Sequence, residues 1–153
     1  MAERPRAADA RRQPVPPGRS AAAPATPALP DRAESAFRAG VAHFDAGAYF
    51  EAHEVWEELW HAVRRQPGEE LLARRLKALI QLAAALIKHR EGRHRPAASL
   101  LGRACHLLGE GPDHVLGISG RGLAARARAH VEGGAPAPRI APARNAETSG
   151  VPR

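Results

Sequence analysis

The chain has 153 residues, which suffices for one domain of ordinary size and excludes two substantial ones. Aromatic residues make up only 4% of a chain dominated by alanine, leucine and arginine, which favours an all-α fold, and a single cysteine excludes an internal disulfide or a multi-cysteine zinc site. The net charge of +7 suggests a nucleic-acid ligand, but residues 31–134 carry 15 basic against 13 acidic side chains, so no specific nucleic-acid partner is expected.

The two ends of the chain differ in composition from its middle. Residues 1–30 and 135–153 are rich in Pro, Ala and Arg and have few apolar side chains, so each is predicted to be a disordered tail beside one helical domain at 31–134. Neither a secretory signal peptide nor an apolar run of membrane-spanning length is evident, so we expect a soluble, cytoplasmic protein with no membrane partner. The arginine-rich leader leaves an organelle targeting peptide open.

Five helical segments are predicted inside the domain. The first four run over about 31–47, 48–65, 69–91 and 96–108, and a fifth follows Ser119. In the third, the run ALIQLAAALI is apolar on nearly every face, so this helix is expected at the centre of a single compact bundle of about five helices. The hairpin of the first two helices partly resembles a tetratricopeptide-like helical hairpin, but no second copy occurs at that period.

The second helix carries the residues that favour a function. Its apolar stripe includes Trp56 and Trp60, and His53 and Glu57 lie at the edge of the stripe, four residues apart. At that spacing the carboxylate can reach the imidazole and fix its tautomer, which suits acid–base chemistry. A purely structural pair explains the spacing as well. If Trp60 is buried, its truncation to alanine is expected to cost about 3–5 kcal/mol.

A divalent metal site is a weaker interpretation of the same helix. His53 and Glu54 begin like the zinc-protease pattern HExxH, but Glu57 stands where that pattern needs its second histidine. His53, Glu57 and His61 follow one another at four-residue spacing and could hold a metal ion only with a further ligand from another helix or from water. No cofactor is therefore predicted.

Gln81 interrupts the apolar run of the third helix. An unsatisfied buried amide costs about 1–3 kcal/mol, so an inward-facing Gln81 is expected to hydrogen-bond a polar group of the second helix such as His53, Glu54 or Glu57. Alternatively, Gln81 belongs to a solvent-facing stripe with Lys77 and Lys88, which the helical repeat permits equally well. Both interpretations remain open at this point.

The segments FDAGAYFEAHEVWEELW, LKALIQLAAALIKHREG and RPAASLLGRACHLL resemble the bacterial and plastid family called domain of unknown function 309, over about residues 37–132. The resemblance implies a small all-helical fold and no established biochemical activity. Two positions depart from the family pattern, Trp56, where leucine is more usual, and Ala78, where glycine is. The motif positions that carry over are Phe44, Gly47, Phe50, Glu51, His53, Glu54, Trp56, Glu57, Trp60, Leu79, Ile80, Gln81 and Ala84.

Two functions are compatible with these observations. The preferred hypothesis is a non-enzymatic binding or interaction module that takes a protein partner or a small ligand, with self-association also open. The alternative is a metal-dependent or acid–base hydrolase that uses His53 and Glu57, which a stoichiometric divalent ion lost in a His53→Ala variant would favour. The candidate binding cluster consists of His53, Glu54, Glu57, Trp60 and Gln81.

Overall fold

The computed structural model describes residues 31–141, so the tail predictions for residues 1–30 and 142–153 lie outside the described residues. Over residues 31–141 the chain folds into five α-helices and one small antiparallel hairpin, which confirms the predicted helical bundle. The elements are α1 Asp31–Asp45, α2 Tyr49–Val63, α3 Glu70–Arg90, α4 His94–Leu108, β1 His114–Val115, β2 Ile118–Ser119 and α5 Gly120–Gly133.

The third helix is the centre of the bundle, with α2 packed on one side and α4 on the other. The predicted apolar run of α3 is buried from Ala78 to Leu86 on most of its faces. Burial of each leucine side chain contributes roughly 1.5–3 kcal/mol, so this helix supplies a large share of the hydrophobic stabilisation. No helix of residues 31–141 is both long and apolar enough to span a membrane.

The contact between α1 and α2 is built around a fully buried tryptophan. The Trp56 ring packs against the rings of Phe37 and Phe44, with centroids 6.4 and 5.9 Å away. Its indole N–H donates to the carbonyl of Phe37 at 3.3 Å, so the polar end of the ring is satisfied. A Cβ atom at Gly40 would overlap the indole ring. The α1 helix can therefore approach Trp56 only because position 40 has no side chain.

The hairpin between α4 and α5 is held to the bundle by a buried arginine. Arg75 of α3 is only 3% exposed and donates to the carbonyls of Ile118, at 2.9 Å, and Asp113, at 3.2 Å. Burial lowers the pKa of the Arg75 guanidinium, while the charge of Asp113 opposes that shift. The sequence did not predict this hairpin, whose two-residue turn has positive φ at both Leu116 and Gly117.

Asp113 links the hairpin to the start of α5, and its hydrogen bonds predict a pH dependence of stability. The backbone N–H of Arg121 and the hydroxyl of Ser119 donate to its carboxylate, at 2.8 and 2.7 Å, and lower the pKa of Asp113 below 3.8. A lowered folded-state pKa means that the stabilisation is present above about pH 4 and is lost as the pH falls through that pKa.

We therefore expect the difference in free energy of unfolding between the wild-type chain and an Asp113→Asn variant to shrink as the pH falls from about 6 to about 2.5. Urea unfolding at both pH values measures this difference. A difference that stays constant with pH would mean that the ionised carboxylate does not stabilise the hairpin.

Residues 135–141, which we name the C-terminal strap, pack against α1. The sequence placed the beginning of a disordered tail at residue 135, and the structure differs for these seven residues. Ile140 is 7% exposed, and the amides of Ile140 and Ala141 donate to Asp45. Composition does not predict this arrangement, because the segment is held by two buried residues, Pro138 and Ile140, and by backbone hydrogen bonds to side chains distant in the sequence.

Candidate functional site

The predicted site residues of α2 lie along one edge of that helix. The buried face of α2 is formed by Tyr49, Ala52, Trp56, Leu59 and Val63. Beside this face, His53, Glu57 and Trp60 form a half-buried set, which we name the polar row. Glu54 and His61 are exposed, so the structure separates them from the polar row.

The imidazole and the carboxylate of the polar row approach each other without a hydrogen bond. Nδ1 of His53 lies 3.7 Å from Oε1 of Glu57, which is beyond hydrogen-bonding range. The two side chains are 26% and 46% exposed, yet Nδ1 itself is shielded from solvent and has no hydrogen-bond partner. The predicted contact that would fix the tautomer of His53 is therefore not made in this conformation.

Trp60 is the last residue of the polar row and has two cations near its ring. The guanidinium carbon of Arg64 is 4.8 Å and the ammonium of Lys77 5.8 Å from the ring centroid, distances at which a cation is attracted to an indole face. The ring is half-buried, in contrast to the sealed ring of Trp56. The loss of about 3–5 kcal/mol in the free energy of unfolding, expected for truncation of a buried Trp60 to alanine, is therefore expected for Trp56 instead.

Two cation–aromatic contacts define how α2 and α3 lie beside each other. Lys77 of α3 contacts Trp60 near one end of α2, and Arg90 lies 4.5 Å from the ring of Tyr49 at the other end. The helices are therefore antiparallel, and the middle of the polar row runs beside the middle of α3. Gln81 belongs to this middle section, one turn beyond Lys77.

Gln81 combines features of both sequence interpretations. Its side chain is half-buried and lines a groove of about 570 Å³ between α3 and α4, together with Lys77, Gly102 and Arg103. Its Oε1 atom, however, is buried and accepts no hydrogen bond. Gln81 thus belongs to the surface stripe with Lys77, and it makes no hydrogen bond to His53 or Glu57. The groove is bounded by α4 and not by the polar row.

A metal site does not form from the candidate ligands in this conformation. Within residues 31–141, no group of three or more His, Cys, Asp or Glu side chains has positions that could hold a metal ion. His61 is exposed and packs edge-on against Trp60, with ring centroids 5.1 Å apart. The stripe of His53, Glu57 and His61 therefore does not converge on one point.

One polar pair escaped the sequence analysis. The rings of His89, at the end of α3, and His130, in α5, are 5.2 Å apart and edge-on. Nδ1 of His89 is buried without a hydrogen-bond partner, whereas Nδ1 of His130 lies 2.7 Å from the carbonyl of Ala135. The two histidines are far apart along the chain, so no spacing in the sequence indicates that they meet.

The comparisons with known proteins give a family and no activity. No curated protein and no solved structure matches the chain. Residues 37–100, which contain most of α1, all of α2 and α3 and the first half of α4, match the family model described as Domain of unknown function (DUF309). The match includes every residue of the polar row and Gln81. The resemblance found in the sequence is thereby confirmed over residues 37–100, which are similar to the DUF309 family.

Proposed function

We propose that this protein is a binding module whose ligand or partner contacts the polar row of α2 and the neighbouring Gln81 of α3. One observation carries the proposal. Nδ1 of His53 and Oε1 of Gln81 are both shielded from solvent and both lack a hydrogen-bond partner. They lie on the adjoining helices α2 and α3, whose inward faces form the apolar core cluster.

Unpaired buried polar atoms reduce the stability of a fold. Each one costs about 1–3 kcal/mol, and buried polar atoms in folded proteins are nearly always paired. A leucine or methionine at position 81 would fill the same space in α3 without this cost. Polar groups that destabilise the free protein are characteristic of functional sites, where a ligand supplies the missing partner.

The surroundings of the two atoms indicate the chemistry of the ligand. Oε1 of Gln81 needs a hydrogen-bond donor, since a carbonyl oxygen only accepts. Arg64 and Lys77 beside the Trp60 ring provide positive charge for an anionic group, and the half-buried indole provides an apolar contact. A ligand with an amide N–H and a carboxylate or other anionic group fits this combination.

The exposed motif residues extend the surface available to a protein partner. Phe50 is 59% exposed and lies beyond Glu57 on the same side of α2, while Glu54 adds a carboxylate next to it. An exposed phenyl ring beside polar side chains is common in contact surfaces between proteins. The hydrolase alternative has less support, because His53 and Glu57 are not hydrogen-bonded to each other.

A stability measurement tests whether the Gln81 amide is unpaired in the free protein. We expect Gln81→Met to raise the free energy of unfolding by about 1 kcal/mol, because the substitution removes an unsatisfied acceptor and keeps a similar volume. Arg74→Met, at an exposed position of the same helix, is the matched control and is expected to change it by less than about 0.5 kcal/mol. A Gln81→Met variant destabilised by 1 kcal/mol or more would show that the amide is a satisfied structural group.

A binding experiment tests the site itself with N-acyl amino acids, which carry an amide N–H and a carboxylate, as probes. The chain contains two tryptophans, so the indole N–H signal of Trp60 in a proton–nitrogen correlation spectrum is a direct reporter. We expect probe-dependent shifts of this signal that are lost in His53→Ala and Gln81→Met and retained in His61→Ala. Shifts of equal size in all four proteins, or no shift with any probe, would contradict the proposal.

A further inference from the structure

The last residue of α1 binds the backbone of the C-terminal strap. Oδ1 of Asp45 accepts the N–H of Ile140 at 2.7 Å, and Oδ2 accepts the N–H of Ala141 at 3.0 Å. A carboxylate at the C-terminal end of a helix is disfavoured by the helix macrodipole unless another group compensates for it. Here two consecutive amides of a distant segment provide that compensation.

The side chain next to these amides is anchored in an apolar site. Ile140 is 7% exposed and belongs to the hydrophobic core cluster. It lies at a cavity of about 540 Å³ that is also lined by Phe37 and Val41 of α1 and by Leu116 and Ile118 of the hairpin. The surface formed by α1 and the hairpin therefore holds one apolar side chain and the two amides beside it, and we name it the strap site.

The strap has the properties of a bound peptide. Pro136 and Pro138 restrict their own backbone and that of the preceding residues to extended conformations, which lowers the entropy lost on docking. The strap forms no helix or strand, and its carbonyls at Ala135 and Arg139 are contacted by side chains of α5. These contacts resemble recognition of an extended ligand more than the packing of a secondary-structure element.

Two consecutive glycines join the strap to the rest of the domain. Gly133 and Gly134 end α5, and Gly134 has φ of +76°, a conformation that residues with a side chain rarely adopt. Space around both glycines is open. Rotation at these two residues swings the strap away from the strap site. It breaks the two hydrogen bonds that cap α5, from the N–H groups of Gly134 and Ala135 to the carbonyls of His130 and Ala129, and leaves the earlier turns of α5 intact.

We infer that the strap site is a peptide-binding site that the strap occupies in cis, and that an extended segment of a partner protein occupies it after displacing the strap. The partner segment needs an apolar side chain in the place of Ile140 and two free amide N–H groups for Asp45. Because the strap is tethered by a few residues, its effective concentration at the site is of millimolar order. Only a segment that binds more tightly, or makes additional contacts, replaces it.

Fluorescence anisotropy on the full-length chain tests this inference, with the labelled, C-terminally amidated peptide APAPRIA, residues 135–141, as probe. Ile140→Asp places a charge at the apolar anchor and is expected to release the strap. We expect the peptide to bind Ile140→Asp at least tenfold more tightly than the wild-type chain, in which the strap competes. Adding Asp45→Ala to Ile140→Asp is expected to abolish binding. Ala137→Asp, at an exposed strap position, is the matched control and is expected to behave as wild type.

Equal peptide affinities of the wild-type chain and a folded Ile140→Asp variant would overturn the inference. Hydrogen exchange on the wild-type chain tests it independently, should Ile140→Asp fail to fold. The amides of Ile140 and Ala141 are expected to exchange by local opening, faster than the core amide of Leu79, and faster still in Asp45→Asn. Strap amides that exchange only as fast as Leu79 would show that the strap leaves its site only when the whole domain unfolds, which excludes displacement by a partner.

Discussion

Gly40→Ala is expected to lower the free energy of unfolding by about 3 kcal/mol in the wild-type chain and to raise it by about 1 kcal/mol in a Trp56→Leu variant. In the wild-type chain the new methyl group overlaps the buried indole of Trp56, and overpacking of this kind costs about 1–3 kcal/mol or more. In Trp56→Leu the ring is gone. The alanine then fills part of the vacated space and removes a glycine from the interior of α1, which is favourable by about 0.5–1 kcal/mol.

A double-mutant cycle measured by urea unfolding tests this reversal of sign. Trp56→Leu alone is expected to destabilise the protein by about 2–4 kcal/mol, because it leaves a cavity and removes the indole hydrogen bond to the Phe37 carbonyl. Ala39, an exposed position of α1, provides the control, because Ala39→Gly is expected to cost about 1 kcal/mol in both backgrounds. Additive effects of Gly40→Ala and Trp56→Leu would contradict the packing described here.

Arg75→Met is expected to lower the free energy of unfolding by about 3 kcal/mol. Methionine retains the apolar stem of the side chain, so the loss is confined to the guanidinium group. That group makes two hydrogen bonds, to the carbonyls of Ile118 and Asp113, and bonds from a charged donor contribute about 1.5–3 kcal/mol each. The carbonyl of Ile118 loses the donor that Arg75 provides, whereas the carbonyl of Asp113 keeps a hydrogen bond from the N–H of Gly120.

The location of the effect distinguishes Arg75 from an ordinary surface arginine. Arg74→Met, at the adjacent exposed position, is expected to be nearly neutral in the same urea unfolding experiment. In Arg75→Met, hydrogen exchange is expected to accelerate first at the hairpin and the start of α5, because these elements are attached to α3 through the guanidinium. Uniform acceleration in all helices, or no loss of stability, would contradict the role of Arg75 as the anchor of the hairpin.

Much of the bundle could be predicted from the sequence because each helix has local signals. The run from Ala78 to Ile87 has apolar residues on nearly every face, which indicates a central helix. Gly47 marks the turn between α1 and α2, and Pro67 marks the turn between α2 and α3, so these helices were expected to pack as antiparallel neighbours. The hairpin lacked such a signal. Its strands have two residues each, and its turn places Leu116 in a left-handed conformation for which leucine has no preference.

The candidate site could be predicted only in part, since residue spacing defines neighbours on one helix but not contacts between helices. The four-residue spacing of His53 and Glu57 correctly indicated that the two side chains are close, yet 3.7 Å separates their nearest atoms. The amphipathic pattern placed both tryptophans on one apolar stripe. It could not determine that Trp56 is sealed under Gly40 and that Trp60 is half-buried with Arg64 and Lys77 near its ring.

By itself, the sequence determined an all-helical bundle, the central position of α3 and the resemblance of residues 37–100 to the DUF309 family. These properties follow from periodicity and motif, which act between residues close together in the chain. Only the tertiary structure decided that His53 and Gln81 carry unpaired atoms, that Arg75 anchors the hairpin and that Asp45 binds the strap. Each of these depends on the packing of elements distant in sequence, where a difference of a few tenths of an ångström separates a hydrogen bond from an unpaired group.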